Sequence, residues 1–558
     1  MERKNAGRLR ESIIKALILK ASNAKTQRER EKKNKIFCSM LPSSTSSLLS
    51  YLSSQPTSNV LLYNSLLASL ARAGHFRRAL SFFRSHMLPH LLPDHFTLAI
   101  LSKSAAELAD PFAGSTLHSL AVRLGFISDV VLSNSLVLLY SCCGLQQSAR
   151  QLFNDMPMRT TASWNLLISQ FSKLGSCYND GEVWNLLRNM QMDGLKPDGF
   201  TVSVVLPLCD GGNAGQLRGR EMHGYVVRNE MGLASSFHVG SCLIDMYCRG
   251  GRVDLGRQIF DSMLVRNLVI WTTMIGGYVE NEQFKEALRL FHDMQVRDGI
   301  VPNRVTLISI LPGIGYLSNL AKGKQIHGYS FRMGLSKEVS LNNALVDMYS
   351  KCGSLMYARR VFDNGSWQKD AISWSSMIAG YGIHGEGEEA VVLFIEMCGL
   401  GIKPDNMIGL AVLSACCRAG LVVKGLEIYN LLVKDHEVLP TVEMCSCMVD
   451  LLGRAGLLNH ALDFIKSMTV VPTPSVWGAL FDASIMHNNQ EMQEVAYKSL
   501  LQLEQQNPSN FVSLSNLNAS SGRWDIVEQV RRRMKEKGLR KIPGCSWINV
   551  NSMKRSLY

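Results

Sequence analysis

The sequence predicts an all-α fold, a solenoid of stacked helix-turn-helix repeats, and three observations predict it. The phrase NNALVDMYSKCGSLMYARRVFD at 342–363 returns in near-copies that open at Ser133, Gly240 and Cys445. With Asn134, Ser241, Asn343 and Ser446 taken as equivalent, the copies lie 107, 102 and 103 residues apart, and self-similarity at a recurring spacing marks a repeat architecture. Each copy also has one internal grammar: apolar residues at helical spacing (Ala344, Leu345, Met348, Tyr349), then Gly353, then a second apolar run (Ala358, Val361, Phe362). That reads as helix, tight turn, helix, with Gly where the first helix must end in a left-handed conformation. Finally, 558 residues exceed one ordinary core, yet no break in composition divides them. Hairpins that touch only their neighbours accommodate such a length, and none can bury its apolar face alone.

Residues 1–59 match no repeat. The first 36 carry twelve Lys/Arg and four Glu, and from Met40 the text becomes MLPSSTSSLLSYLSSQPTSN, Ser-rich and free of acids. A basic then Ser-rich leader reads as an organelle transit region. The acids Glu2, Glu11, Glu29 and Glu31 depart from that composition, and Met40 is an alternative start.

From 60 to 473, three kinds of unit alternate in four triplets, twelve repeats in all. The first kind spans 60–94, 161–198, 268–303 and 371–405, with Pro93, Pro197, Pro302 and Pro404 expected to stop its second helix and set a rigid link to the next unit. A second kind follows at 95–129, 199–236, 304–338 and 406–441. The third kind holds the opening phrase, at 130–160, 237–267, 339–370 and 442–473. Residues 474–540 keep the hairpin grammar in different words, for two further hairpins, and 541–558 form a short tail.

Charge and cysteine usage narrow the function classes. The net charge of +13 is concentrated at the ends: +8 in residues 1–36, +7 in 528–558, and −2 in the 491 residues between. A basic protein invites a nucleic-acid reading, but bulk charge cannot be how near-neutral repeats would bind. Fourteen cysteines without a CxxC pair read as small buried residues in a reducing compartment. The longest uncharged run, 130–149, holds Asn134, two Gln and a Gly inside a repeat, so no membrane partner is expected.

The phrases SWNLLI, IWTTMI and KPD, the alternating unit lengths and the ending GRWDIVEQVRRRMKEKGLRKIPGCSWINV resemble plant pentatricopeptide repeat proteins. The match is to the subclass with alternating P, L and S repeats and a C-terminal E extension, over about 60–550. Tetratricopeptide repeats share the hairpin, but their W-x2-L-G-x2-Y pattern is missing from these units. The resemblance implies a right-handed superhelix that binds single-stranded organelle RNA and specifies cytidines for conversion to uridine. The organelle is expected to be the mitochondrion, with the chloroplast as the alternative.

In such a solenoid the fifth residue of a unit points into the groove and the last residue sits beside it, so two polar side chains face one base. In P and S units these couples are Asn64/Asp94, Asn134/Thr160, Asn165/Asp198, Ser241/Asn267, Thr272/Asn303, Asn343/Asp370 and Ser375/Asp405, all hydrogen-bonding. In L units they are Ala99/Asp129, Ser203/Ser236, Ile308/Glu338 and Leu410/Thr441, where three of four fifth positions cannot hydrogen-bond. Caps and turns explain each residue singly, but not this contrast by unit type. The resemblance assigns U to Asn with Asp, G to Ser with Asp, and A to Ser or Thr with Asn. The expected target is U-n-Y-U-n-A-A-n-U-G-n-n, 5′ to 3′, just upstream of the edited C.

A zinc-dependent nucleobase deaminase needs H-x-E followed by P-C-x-x-C. His384-Gly385-Glu386 fits the first part by coincidence, with no CxxC anywhere, and the sequence ends before the deaminase segment of many relatives would begin. The expectation is binding without catalysis, with no metal, cofactor or small-molecule substrate. A DYW-type deaminase would act in trans, with multiple organellar RNA editing factors as further partners. The basic stretch 528–541 would hold phosphates or dock that deaminase, or is simply a solvated face. Rival readings are a splicing or stability factor for organelle RNA and a protein-interaction scaffold.

Overall fold

The computed structural model describes residues 60–173, 181–209, 212–229, 231, 237–364, 367–504, 507–520 and 522–540. The leader, the 541–558 tail and Ser236 lie outside the described residues. The fold is an all-α solenoid, and no strand occurs among the described residues. The chain forms two compact units, one ending at Arg266 and one beginning at Asn267.

In the first unit, the helices Val60–Arg72, His95–Glu107, Val130–Cys142, Thr161–Ser172, Gly199–Val205 and Phe237–Arg249 pack side by side in chain order. In the second, Leu268–Glu280, Arg304–Tyr316, Val339–Lys351, Ala371–Ile383, Asn406–Ala419, Val442–Arg454 and Pro474–Met486 do the same. Nearly every one of these is followed by a second helix that packs back on it. Two further helices, Pro508–Ser520 and Trp524–Glu536, pair with each other.

Helix starts are set by local chemistry. Asp94, Asp129, Thr160, Asp198, Asn267, Asn303, Asp370, Asp405 and Thr441 are all extended N-cap residues whose side chains accept the N–H three residues on. Each such cap contributes about 1 kcal/mol by filling a donor the helix leaves open. Within the hairpins, Gly353 takes φ +76°, the left-handed turn its position requires, while the L units place Ala109 and Ser318 there at +49°.

The prolines form the expected link but do not themselves end the second helix. Second helices end at Met192, Val296 and Gly399, and the left-handed residues just beyond are Gly194, Gly299 and Gly401. Pro197, Pro302 and Pro404 sit later, immediately before the cap residue of the next helix. Glycine reaches the left-handed region without a Cβ clash and so ends the helix; proline suits the extended link that leads into a cap. The uncharged run at 130–149 breaks near Gly144 into two helices, and among the described residues no helix is long and apolar enough to cross a membrane.

L and S units join tightly. A Cβ at Gly114, Gly219 or Gly323 would lie 2.3, 2.6 or 2.4 Å from Leu139, Met246 or Met348 of the following helix, so the absent side chain permits the approach. One turn further on, the Nδ1 atoms of His118, His223 and His327 lie 2.8, 2.9 and 2.9 Å from the hydroxyls of Tyr140, Tyr247 and Tyr349. Burial pushes all three histidines below their usual pKa. It pushes the Tyr349 hydroxyl up to about 12.

Candidate nucleic-acid interface

Within each compact unit, fifth residues such as Asn64, Asn165 and Asn343 come next to the start of the following first helix. The last residue of a unit is the N-cap of that following helix, so the cap geometry decides where its side chain stands. Asn64 donates through Nδ2 to both carboxylate oxygens of Asp94, at 3.0 and 3.1 Å. Asn165 donates to Asp198 at 3.0 Å and Asn343 to Asp370 at 3.1 Å. Three of the seven expected couples are therefore directly bonded across 27 to 33 residues.

Of the other couples, one is joined through a third side chain among the described residues. Thr272 reaches Asn303 through the hydroxyl of Thr306, which lies 2.8 Å from Thr272 and bonds Asn303 Oδ1 at 3.0 Å. Thr160 caps its helix and meets Ser163, while Asn134 Oδ1 is buried without a partner. The Ser241 hydroxyl donates to the carbonyl of His238, and Asn267 caps the helix beginning at Leu268. Asp405 caps with Ile408 N–H, and no bond joins it to Ser375 among the described residues. In the L units, Asp129 and Thr441 cap in the same way, Ser203 turns back to the Phe200 carbonyl, and Ala99, Ile308 and Leu410 have no polar atom to offer.

Exposure at the fifth position is small: 7% for Asn165 and Asn343 and 8% for Ser241, with Asn64, Asn134, Thr272 and Ser375 half-buried. Asp198 and Asp370 stay ionised well into acid. Burial pushes each carboxyl up, but hydrogen bonds outweigh it and hold the pKa below the usual range. Those bonds come from Thr201 and Asn165 to Asp198, and from Ser373 and Asn343 to Asp370.

Two sets of residues escaped the sequence reading. The second residue of a first helix is repeatedly a large apolar side chain left exposed: Leu61, Phe96, Val131, Phe200, Val269, Val305, Ile372 and Met407, between 43% and 65%. Residues three apart share a helix face, so each apolar group stands beside a fifth position. Scattered exposed apolar residues are ordinary; a row at one register can stack on the faces of unstacked bases. The signal was a large apolar residue three before the fifth position in these eight units. The other set, Thr97, Thr201 and Thr306, is taken up below; its signal was a Thr three after the cap.

Elsewhere the expected chemistry is accounted for. His384 caps the end of the helix Ala371–Ile383, with Nε2 3.0 Å from the Ser350 carbonyl, and Glu386 precedes the next helix. Among the described residues no cluster of three His, Cys, Asp or Glu could hold a metal. In the basic stretch, Arg531 bonds Ser515, Arg532 pairs with Glu528 and Lys537 lies over the Phe511 ring.

Comparison with known proteins follows this geometry. Family models match as the PPR repeat at 61–85, 241–268, 372–402, 410–436 and 443–470, as the PPR repeat family at 266–314, and as the E motif at 487–549. Pentatricopeptide repeat-containing proteins of Arabidopsis thaliana are similar along most of the chain. At3g57430, chloroplastic, is 37% identical over 88% of this chain and 56% of its own length. At4g19191, mitochondrial, is 34% identical over 90% of this chain and 76% of its own. A solved structure, the maize pentatricopeptide repeat protein PPR10 in complex with an 18-nt psaJ RNA element, aligns at 15% identity and TM-score 0.48, covering 88% of this chain and 87% of that one.

Proposed function

The chain belongs to the pentatricopeptide repeat family, and from that premise we propose that it binds one stretch of single-stranded organelle RNA and marks a cytidine there for conversion to uridine. The observation that carries this is the repeated couple at one helix register, an amide bonded to the carboxylate that ends its own unit, together with exposed apolar side chains three residues before the fifth position in eight of the units. The polar pair meets a base edge, the apolar group meets a base face, and the unit-to-unit repeat matches a strand of successive nucleotides. Because the repeats carry almost no net charge, selectivity falls on these contacts rather than on phosphate attraction.

Each base is read by one couple: Asn64/Asp94, Asn134/Thr160, Asn165/Asp198, Ser241/Asn267, Thr272/Asn303, Asn343/Asp370 and Ser375/Asp405. The protein supplies binding and position. The E motif, which matches at 487–549, supports a role in recruiting a deaminase that performs the chemistry in trans. Relatives named chloroplastic and mitochondrial support an organelle as the compartment. Microscopy of a fluorescent fusion decides between the mitochondrion, which the sequence favours, and the chloroplast.

The test compares organelle transcripts from plants with and without the protein. Loss of one C-to-U change downstream of a sequence matching U-n-Y-U-n-A-A-n-U-G-n-n is the expected result. Altered splicing or abundance with every edit intact would replace editing by a processing role. Equal binding of the matching and a scrambled 12-mer would reject sequence reading altogether.

A further inference from the structure

The polar couples are not all built alike, and the difference lies in a third residue. Where an L unit follows a P unit, the third residue of the L unit's first helix is Thr97, Thr201 or Thr306 in three of four cases. The hydroxyls of Thr97 and Thr201 lie 2.5 Å from Oδ1 of Asn64 and Asn165, whose Nδ2 atoms are already bonded to Asp94 and Asp198. Thr306 makes the matching contact to Thr272 at 2.8 Å. The Thr97 and Thr201 hydroxyls also lie 2.8 and 2.9 Å from the carboxylates of Asp94 and Asp198. Where a P unit follows an S unit, Ser163 and Ser373 reach Thr160 and Asp370 but not the amide, and Oδ1 of Asn134 and of Asn343 is buried without a partner. All three threonines are fully buried, at 0% exposure, so they do not touch RNA themselves.

We propose that Thr97, Thr201 and Thr306 are positioning residues that set the base preference of the preceding unit by locking its fifth side chain, an inference that rests on the base-reading function above. A primary amide has nearly the same shape when its oxygen and nitrogen exchange places, yet the turned amide offers a base the reverse pattern of donor and acceptor. A bond from Nδ2 to the Asp carboxylate pins one corner. The threonine hydroxyl holds the other as donor: turning the amide would break the Nδ2–Asp bond, set Oδ1 against a carboxylate and force the hydroxyl proton round to the Asp. One N–H and one oxygen lone pair remain for the base, side by side, in a fixed order.

The test measures binding of the full chain to four oligonucleotides that differ only at the nucleotide facing unit 161–198, and to four that differ only at the nucleotide facing 60–94. Thr201→Val keeps the shape and removes the hydroxyl; Thr201→Ser keeps the hydroxyl. The expected result is that T201V narrows the spread of affinities at its own nucleotide by about threefold, the scale of one neutral hydrogen bond. T201S, whose hydroxyl is free to turn to Asp198 as that of Ser373 does to Asp370, keeps a spread between that of T201V and the wild type, and the nucleotide facing 60–94 is read as before. T97V gives the mirror-image result, so the test does not hang on one variant. An unchanged spread in both valine variants overturns the positioning role alone. So does an equal loss at both nucleotides, which is the mark of a merely structural threonine. A wild-type protein with no spread at either nucleotide overturns base reading itself, and the positioning role with it.

Discussion

The junction at Asn165 and the junction at Asn343 contain the same couple in different settings. Both amides donate to the Asp that caps the following helix, and both are 7% exposed. At Asn165 the hydroxyl of Thr201 completes the ring; at Asn343 the hydroxyl of Ser373 goes to Asp370 and the amide oxygen is left alone. Threonine's branched Cβ restricts its rotamers more than serine's does. The lesson is that a two-residue code understates the first kind of junction, where three side chains act as one network.

Removing the shared Asp gives the largest expected effect. Asp198→Ala and Asp370→Ala each lose a helix cap and strand a buried amide, together about 2–3 kcal/mol of stability by chemical denaturation. Asp370→Ala should cost more, because the buried Ser373 hydroxyl loses its acceptor while Thr201 keeps Asn165; an equal or smaller loss would break the comparison. Asn343→Ser with Asp370 kept should move that unit's preference from U toward G by about tenfold, the lower part of the range for one good base contact. Oligonucleotide binding with unchanged affinity for both bases would count against the couple as a reader.

Ser373→Thr places at the Asn343 junction the residue found at Asn165. It should sharpen discrimination at that nucleotide by roughly threefold or less, since one hydrogen bond is gained and a methyl must fit a buried site. Broader base tolerance in the variant would show that the two settings are not interchangeable.

The smallest effects are those of pH. Asp198 and Asp370 have lowered pKa values, so the stability they contribute is complete above about pH 4, the unfolded carboxylate value, and is lost as pH falls through their folded values. His118, His223 and His327 act earlier. Their folded pKa values are also lowered, so the unfolded chain takes up protons first, and stability declines as pH falls from about 6.5 toward those values. Replacing the three histidines with Gln should flatten the denaturation midpoint between pH 7 and 5 while leaving the further fall below pH 4. A midpoint that still drops between pH 7 and 5 would assign that loss to other groups.

Helix starts were legible in the sequence because a cap is a contact over three residues: Asp198 and Thr201, or Asp370 and Ser373, satisfy the first turn whatever lies around them. The glycine turns were legible for the same reason. The role given to proline was not, since both Gly194 and Pro197 break a helical pattern, and only the backbone shows which residue the helix ends at. The fifth and last positions were visible as a contrast between unit types, but the row of exposed apolar residues looked like ordinary core pattern.

By itself the sequence determined the all-helical repeat, through apolar spacing, caps and left-handed glycines, all of which act within a few residues. Tertiary structure alone decided how each couple is completed. Asn165 meets Thr201 across 36 residues, while the oxygen of Asn343 has no such neighbour, although both are fifth residues paired with a capping Asp. The reason is distance: a hydrogen bond needs its atoms within about 3 Å, and only the packing of one helix against the next brings residues so far apart in the chain that close.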